Sequence, residues 1–220
     1  MEAEGRDEAA SRSKRNLIQS LPDGWLEELW DAAVARRSKH LTAIGVLIVT
    51  GCRPAEVCHG VAVRLAGEDV EVAIAGAKVR NGHGQPFRLL RVRAEGRAAC
   101  HLADLAAAAP GGVARVRASC SPDALSAAIA NLAGERWGRR CSAYDVRHAR
   151  AAAVRLAFNG DLEACSRWLG HHSLSTQRFY ARLPRTSRLQ GPRPVSADAP
   201  LPVRRRGRTR APEPITAPAF

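Results

Sequence analysis

Tyr180 and Tyr144 are the only tyrosines in the chain, and a tyrosine can do covalent chemistry on phosphorus. A phenol that attacks a phosphodiester forms a phosphotyrosine, which keeps the energy of the broken bond and lets it be rejoined without ATP or a metal. With an ordinary pKa of about 10, the phenol needs a base or a strongly cationic site to lose its proton. Arg53, in Thr50-Gly51-Cys52-Arg53-Pro54-Ala55-Glu56, and Arg147, in Tyr144-Asp145-Val146-Arg147-His148, could supply that charge. Two bidentate guanidiniums match the non-bridging oxygens that gain charge in the transition state. Glu56, three residues after Arg53, is placed to brace it on a helix. Lys78 follows Ala75-Gly76-Ala77 and should project from a turn, where an ammonium can protonate a leaving 5′-oxygen. His171, in Leu169-Gly170-His171 and nine residues before Tyr180, could donate to a phosphate oxygen. Each residue also has an ordinary use, as a buried ring, a solvated charge or a turn lysine.

The elements that must position these side chains are mostly helical. Trp25, Leu26, Leu29, Trp30 and Val34 recur at helical spacing behind Asp23, a residue able to cap. Leu41 to Val49 is nearly all apolar and predicts a buried helix ending at Thr50-Gly51. Pro54 suits the first position of a short third helix, through Val57. Val61–Ala66, Val70–Ala75 and Phe87–Val92 then read as a three-stranded antiparallel sheet. Helices are predicted again over about 97–108, 123–136 and 142–158, the last stopping at Asn159-Gly160. Two short ones follow, Asp161–Leu169 and Ser173–Leu183. The fold class is thus α+β and mainly helical, with one small sheet. Residues 1–16 read as a disordered arm, 17–184 as one domain, and 185–220 as a disordered Pro/Arg-rich tail.

Composition narrows the partner. A net charge of +13 over 220 residues points to a polyanion, and nucleic acid is the commonest. The basic charge is almost all arginine, since Lys14, Lys39 and Lys78 are the only lysines, which makes Lys78 notable. Six scattered cysteines with no CxxC pair read as reduced, buried thiols. Cys58-His59 beside Cys52 is the alternative, a ligand group; otherwise no metal and no cofactor is expected. The N-terminus is too polar for a signal peptide, and Leu41 to Val49 is too short to span a bilayer. A cytoplasmic, nucleoid-associated protein without a membrane partner is the expectation.

With these residues assembled, the chain resembles the catalytic domain of the tyrosine recombinases, the phage-integrase family. Those proteins carry an arginine in a T-G-x-R-x-x-E segment, a lysine on a strand-to-strand turn, H-x-x-R, then L-G-H and a tyrosine nine residues later. Arg53 and Glu56, Lys78, Tyr144 through Arg147, and Leu169-Gly170-His171 through Tyr180 fall in that order over about residues 20–183. The resemblance implies that Tyr180 is the nucleophile, making a 3′-phosphotyrosine. It implies that Arg53, Arg147 and His171 stabilise the phosphorane, that Lys78 is the general acid and that Glu56 is a support. Tyr144 stands where the family usually has histidine or lysine; it can donate a hydrogen bond but carries no positive charge. Telomere resolvases, similar enzymes, accept tyrosine there. Arg80, Arg88, Arg150 and Arg178 are further arginines expected to contact DNA.

The implied function is site-specific recombination or integration of double-stranded DNA by a homo-tetramer, in the setting of a mobile element. Family members usually carry a helical core-binding domain before the catalytic one, and the stretch ahead of Leu21 is too short for it. The chain is therefore expected to act as a catalytic domain alone, or with an accessory DNA-binding protein. Two alternatives stay open: a type IB topoisomerase-like enzyme, and a weakened or truncated relative that only binds DNA.

Overall fold

The computed structural model describes residues 21–79, 84–174 and 191–204. Seven helices are found among them: α1 (Trp25–Ala35), α2 (Leu41–Thr50), α3 (Pro54–His59), α4 (Arg97–Ala108), α5 (Pro122–Trp137), α6 (Ala143–Ala157) and α7 (Leu162–Leu169). Five strands, β1 (Val61–Ala66), β2 (Asp69–Ala75), β3 (Phe87–Arg93), β4 (Val113–Val116) and β5 (Pro194–Asp198), form one sheet in the order β4-β1-β2-β3-β5. The fold is α+β.

Helix α2 is the axis of the helical layer. It is apolar all round, as a helix enclosed by others must be, and every residue from Ala43 to Thr50 is buried. Helices α1, α4 and α6 pack around it. On α1 the inward stripe is Trp25, Leu26, Leu29, Trp30 and Ala33, while Val34 is exposed. That helix starts behind Gly24, in the left-handed region at φ 78°, and not at an Asp23 cap. Helix α6 opens on a capping box: Asp145 accepts hydrogen bonds from the Ser142 backbone N–H and hydroxyl, both at 2.7 Å. Asp161 caps α7 by accepting from the Glu163 and Ala164 backbone N–H groups.

The sheet alternates as a half-buried sheet should. Val61 pairs with Ile74, Val63 with Val72, Val72 with Leu90 and Val70 with Val92, and all of these side chains are buried. On the opposite face Arg64, Glu71 and Arg91 stand in one cross-strand row. There the Glu71 carboxylate receives both guanidiniums, at 2.5 and 2.6 Å. Two of the arginines are thus paired within the fold.

Two strands enlarge the three-stranded sheet read from the sequence. β4 adds to β1, and β5 adds to the free edge of β3, with Leu90 opposite Ala197 and Arg91 opposite Ser196. The expectation of a structureless tail from residue 185 is therefore corrected for 191–204. Pairing with β3 satisfies backbone groups that a Pro-flanked five-residue segment could not satisfy by itself. The arm 1–16, residues 205–220 and nearly all of the helix expected from Ser173 to Leu183 lie outside the described residues. Among the described residues no helix is long and apolar enough to cross a membrane.

Candidate functional site

Arg53 is the N-cap of α3, with extended backbone, directly after the buried axis helix. Its backbone N–H donates to Glu56 Oε2 at 2.7 Å and its Nη1 to Glu56 Oε1 at 2.9 Å. Glu56 is fully buried, and Arg88 of β3 grips it from the other side, Nη1 to Oε1 at 3.1 Å and Nη2 to Oε2 at 2.9 Å. Burial would raise the Glu56 carboxyl. The charge and hydrogen bonds of Arg88, then the charges of Arg53 and Arg147, outweigh it and hold the group well below the usual carboxylate range.

Arg147 lies in the second turn of α6 and is 2% exposed. Its Nη1 donates to the carbonyl of Gly51 at 2.8 Å, and its Nη2 to the carbonyl of Leu169 at 2.7 Å. Those carbonyls belong to the ends of α2 and α7, where helices leave acceptors without intrahelical donors. Thr50, one residue earlier, has its carbonyl bonded by Trp168 Nε1 at 2.8 Å. Gly51 must be glycine on two counts. Its φ is +64°, and a Cβ there would meet Arg150 Cβ at 2.7 Å.

Arg147 Nη2 also lies 3.2 Å from His171 Nε2. Arginine has no acceptor, so Nε2 must be the unprotonated nitrogen and the imidazole proton sits on Nδ1. Burial, then the charges of Arg147, Arg53 and Arg88, push the His171 pKa down to about 2. The site therefore contains a neutral imidazole between arginines. Arg53 is also lowered from its ordinary value, by burial and then by Arg147, yet a guanidinium stays charged in any physiological buffer.

Arg53, Arg147 and His171 thus come together, with Glu56 and Arg88 beneath them. Guanidiniums from two helices beside an imidazole form a site suited to an oxyanion. Tyr144 is one helical turn before Arg147 on the same face and is exposed, at the rim. Lys78 is exposed just beyond β2. Its carbonyl oxygen and that of Gly170 both lie within 4 Å of where a Cβ on Gly84 would be, so the lysine's turn abuts the corner that leads into His171. Tyr180, Arg80 and Arg178 lie outside the described residues.

Two of the arginines expected to contact DNA are buried. Arg88 is 1% exposed and forms the buried pair with Glu56, while Arg150 is fully buried and donates to the Pro192 carbonyl at 2.9 Å. Burial lowers the Arg150 pKa to about 9. Both guanidiniums are bonded inside the fold, one to a carboxylate and one to a carbonyl. In the alternative ligand group, Cys52 is fully buried and its thiol pushed up to about 12, chiefly by burial. Among the described residues no cluster of His, Cys, Asp and Glu is arranged to hold a metal.

The two depressed groups predict acid sensitivity. His171 and Glu56 both hold protons less readily folded than unfolded, so stability is complete above the unfolded pKa and falls as pH falls. The His171 contribution starts to be lost below its ordinary 6.5, and that of Glu56 below its ordinary 4.5. In urea titrations, stability should decline below about pH 6.5, at no more than about 1.4 kcal/mol per pH unit for one proton. In His171→Asn the decline between pH 6.5 and the Glu56 range should be shallower, with His40, also lowered by burial, as the histidine that remains to drive it. Identical profiles for the two proteins would refute the burial of a neutral His171.

Among solved structures, the chain is similar to XerA recombinase, with a TM-score of 0.52 at 20% sequence identity. The likeness covers 74% of this chain and 60% of that one, and it shows a shared fold. The sequence matches no family model and no curated protein.

Proposed function

We propose that the chain is a DNA strand transferase of the tyrosine-recombinase kind, acting on double-stranded DNA as a tetramer on a mobile element. The observation that carries this reading is the convergence of Arg53, Arg147 and His171 over the Glu56–Arg88 pair, in a fold shared with a recombinase. In the proposed step Tyr180 Oη bonds to phosphorus and the bond from phosphorus to the 5′-oxygen breaks. Lys78 gives its proton to that oxygen, and the phenol's proton leaves to solvent, favoured by the cationic surroundings. Arg53 and Arg147 hold the non-bridging oxygens, with His171 fixing Arg147 and Tyr144 donating from the rim. Rejoining reverses these steps, with no cofactor.

The test is an SDS-resistant adduct on a nicked suicide duplex, chosen from a randomised pool by binding to the wild-type chain at low salt. An adduct with wild type and none with Tyr180→Phe is the expected result. No adduct from wild type at saturating DNA would sink the enzymatic reading. A second reading, a DNA-binding relative without cleavage, is favoured by one observation: exposed Tyr144 brings no charge to the site. Under that reading Tyr144→His restores the adduct.

A further inference from the structure

Gln85 lies at the neck of the connection between β2 and β3 and is 1% exposed. Its side chain clasps the backbone of a residue 116 positions away: Nε2 donates to the Leu201 carbonyl at 2.7 Å, and Oε1 accepts from the Leu201 N–H at 3.0 Å. One primary amide thereby satisfies both backbone groups of one residue, as a neighbouring strand would. The backbone N–H of Gln85 donates to the Gly170 carbonyl at 3.2 Å, immediately before His171.

The same neck controls where Lys78 starts. Gly76 N–H donates to the Pro86 carbonyl at 2.8 Å, and a Cβ on Gly76 would fall 2.1 Å from the Gln85 carbonyl oxygen. A Cβ on Gly84, whose φ is +79°, would fall 2.3 Å from the Lys78 carbonyl oxygen. The two sides of the connection therefore touch backbone to backbone just below Lys78. Gln85 fixes them to the Gly170 corner on one side and to Leu201 on the other.

We propose that Gln85 is a positioning residue for Lys78: its clasp on Leu201 sets the base from which the lysine reaches the scissile phosphate beside His171. The inference rests on the strand-transfer reading above. Lysine is a point charge on a flexible stem, so its useful placement is set by its backbone. A displacement of about 1 Å in a reacting group costs about a hundredfold in rate.

Substituting sulfur for the bridging 5′-oxygen separates this role from a general loss of structure. A thiol ionises at about pH 8.5, so a 5′-thiolate leaves without an acid. Gln85→Met keeps the side-chain volume and removes both bonds to Leu201. On the wild-type-selected suicide duplex it should form the adduct about tenfold or more slowly with oxygen at the scissile position. With sulfur there, it should match wild type, as should Lys78→Ala. Should Gln85→Met not fold, Gln85→Glu, which keeps the acceptor for Leu201 N–H but loses the donor, is read in the same way. Wild-type rates on both duplexes, or an equal deficit on both, would overturn the inference while leaving the enzyme reading intact. Failure of sulfur to rescue Lys78→Ala removes the acid assignment and the inference with it. A wild-type chain that forms no adduct on either duplex fails at the level of the parent reading.

Discussion

Glu56→Ala is expected to cost about 3–5 kcal/mol of folding stability, because it leaves the buried Arg88 guanidinium without its carboxylate. Arg88 is fully enclosed, and both of its Nη groups bond Glu56. Arg53 loses an ion pair and its backbone N–H loses the Glu56 oxygen in the same stroke. The cost arises from stranding a charge rather than from the attraction of the pair, since burying both ions was itself expensive. Replacing both partners should therefore be milder than replacing one: Glu56→Met with Arg88→Met is expected to recover a large part of the loss. Urea unfolding of the two single variants and the double variant checks this through the coupling energy. A double variant as unstable as the sum of the singles would show that the pair is not coupled. Cleavage should fall in all three, because Arg53 loses its brace wherever Glu56 is removed and Glu56 loses its anchor wherever Arg88 is.

This pair also shows where sequence reading stops. Glu56 as the support of Arg53 was legible from three-residue spacing on a helix. Arg88 was legible in principle: in Phe87-Arg88-Leu89-Leu90-Arg91-Val92 it shares its parity with Leu90 and Val92, the inward face of β3. An arginine at an inward position needs buried acceptors, and the Glu56 carboxylate supplies them. The apolar run of α2, the stop of α6 at Asn159-Gly160 and the three central strands were readable because their causes are local. β4, β5 and the Gln85 clasp were not, because each exists through a partner remote in the chain. The pairing of Leu90 with Ala197 leaves no periodic trace in a segment as short as Pro194–Asp198. Gly51 was read as a helix stop, and its second reason, the close approach of α6 at Arg150, appears only in three dimensions.

Arg147→Lys, which conserves charge, is expected to lower stability by about 2–4 kcal/mol and adduct formation by about a hundredfold or more. At least three of the five guanidinium donors are engaged, by the Gly51 carbonyl, the Leu169 carbonyl and His171 Nε2. A planar fork reaches all three at once, whereas a lysine ammonium is a point donor on a stem of different length. At least one of the two carbonyls would be left buried without a donor, at about 1–3 kcal/mol for each. The ends of α2 and α7 are held together through this side chain, and Arg53 and His171 are carried on the segments that follow them. The substitution thus disturbs the spacing of the cluster as well as one member of it. Measuring adduct formation at a temperature where circular dichroism shows the variant folded separates the two effects. If the chemistry needs only a positive charge at this position, the folded variant cleaves at the wild-type rate. If it needs the fork, the deficit persists in the folded protein, and His171, freed of its arginine donor, titrates closer to its ordinary value.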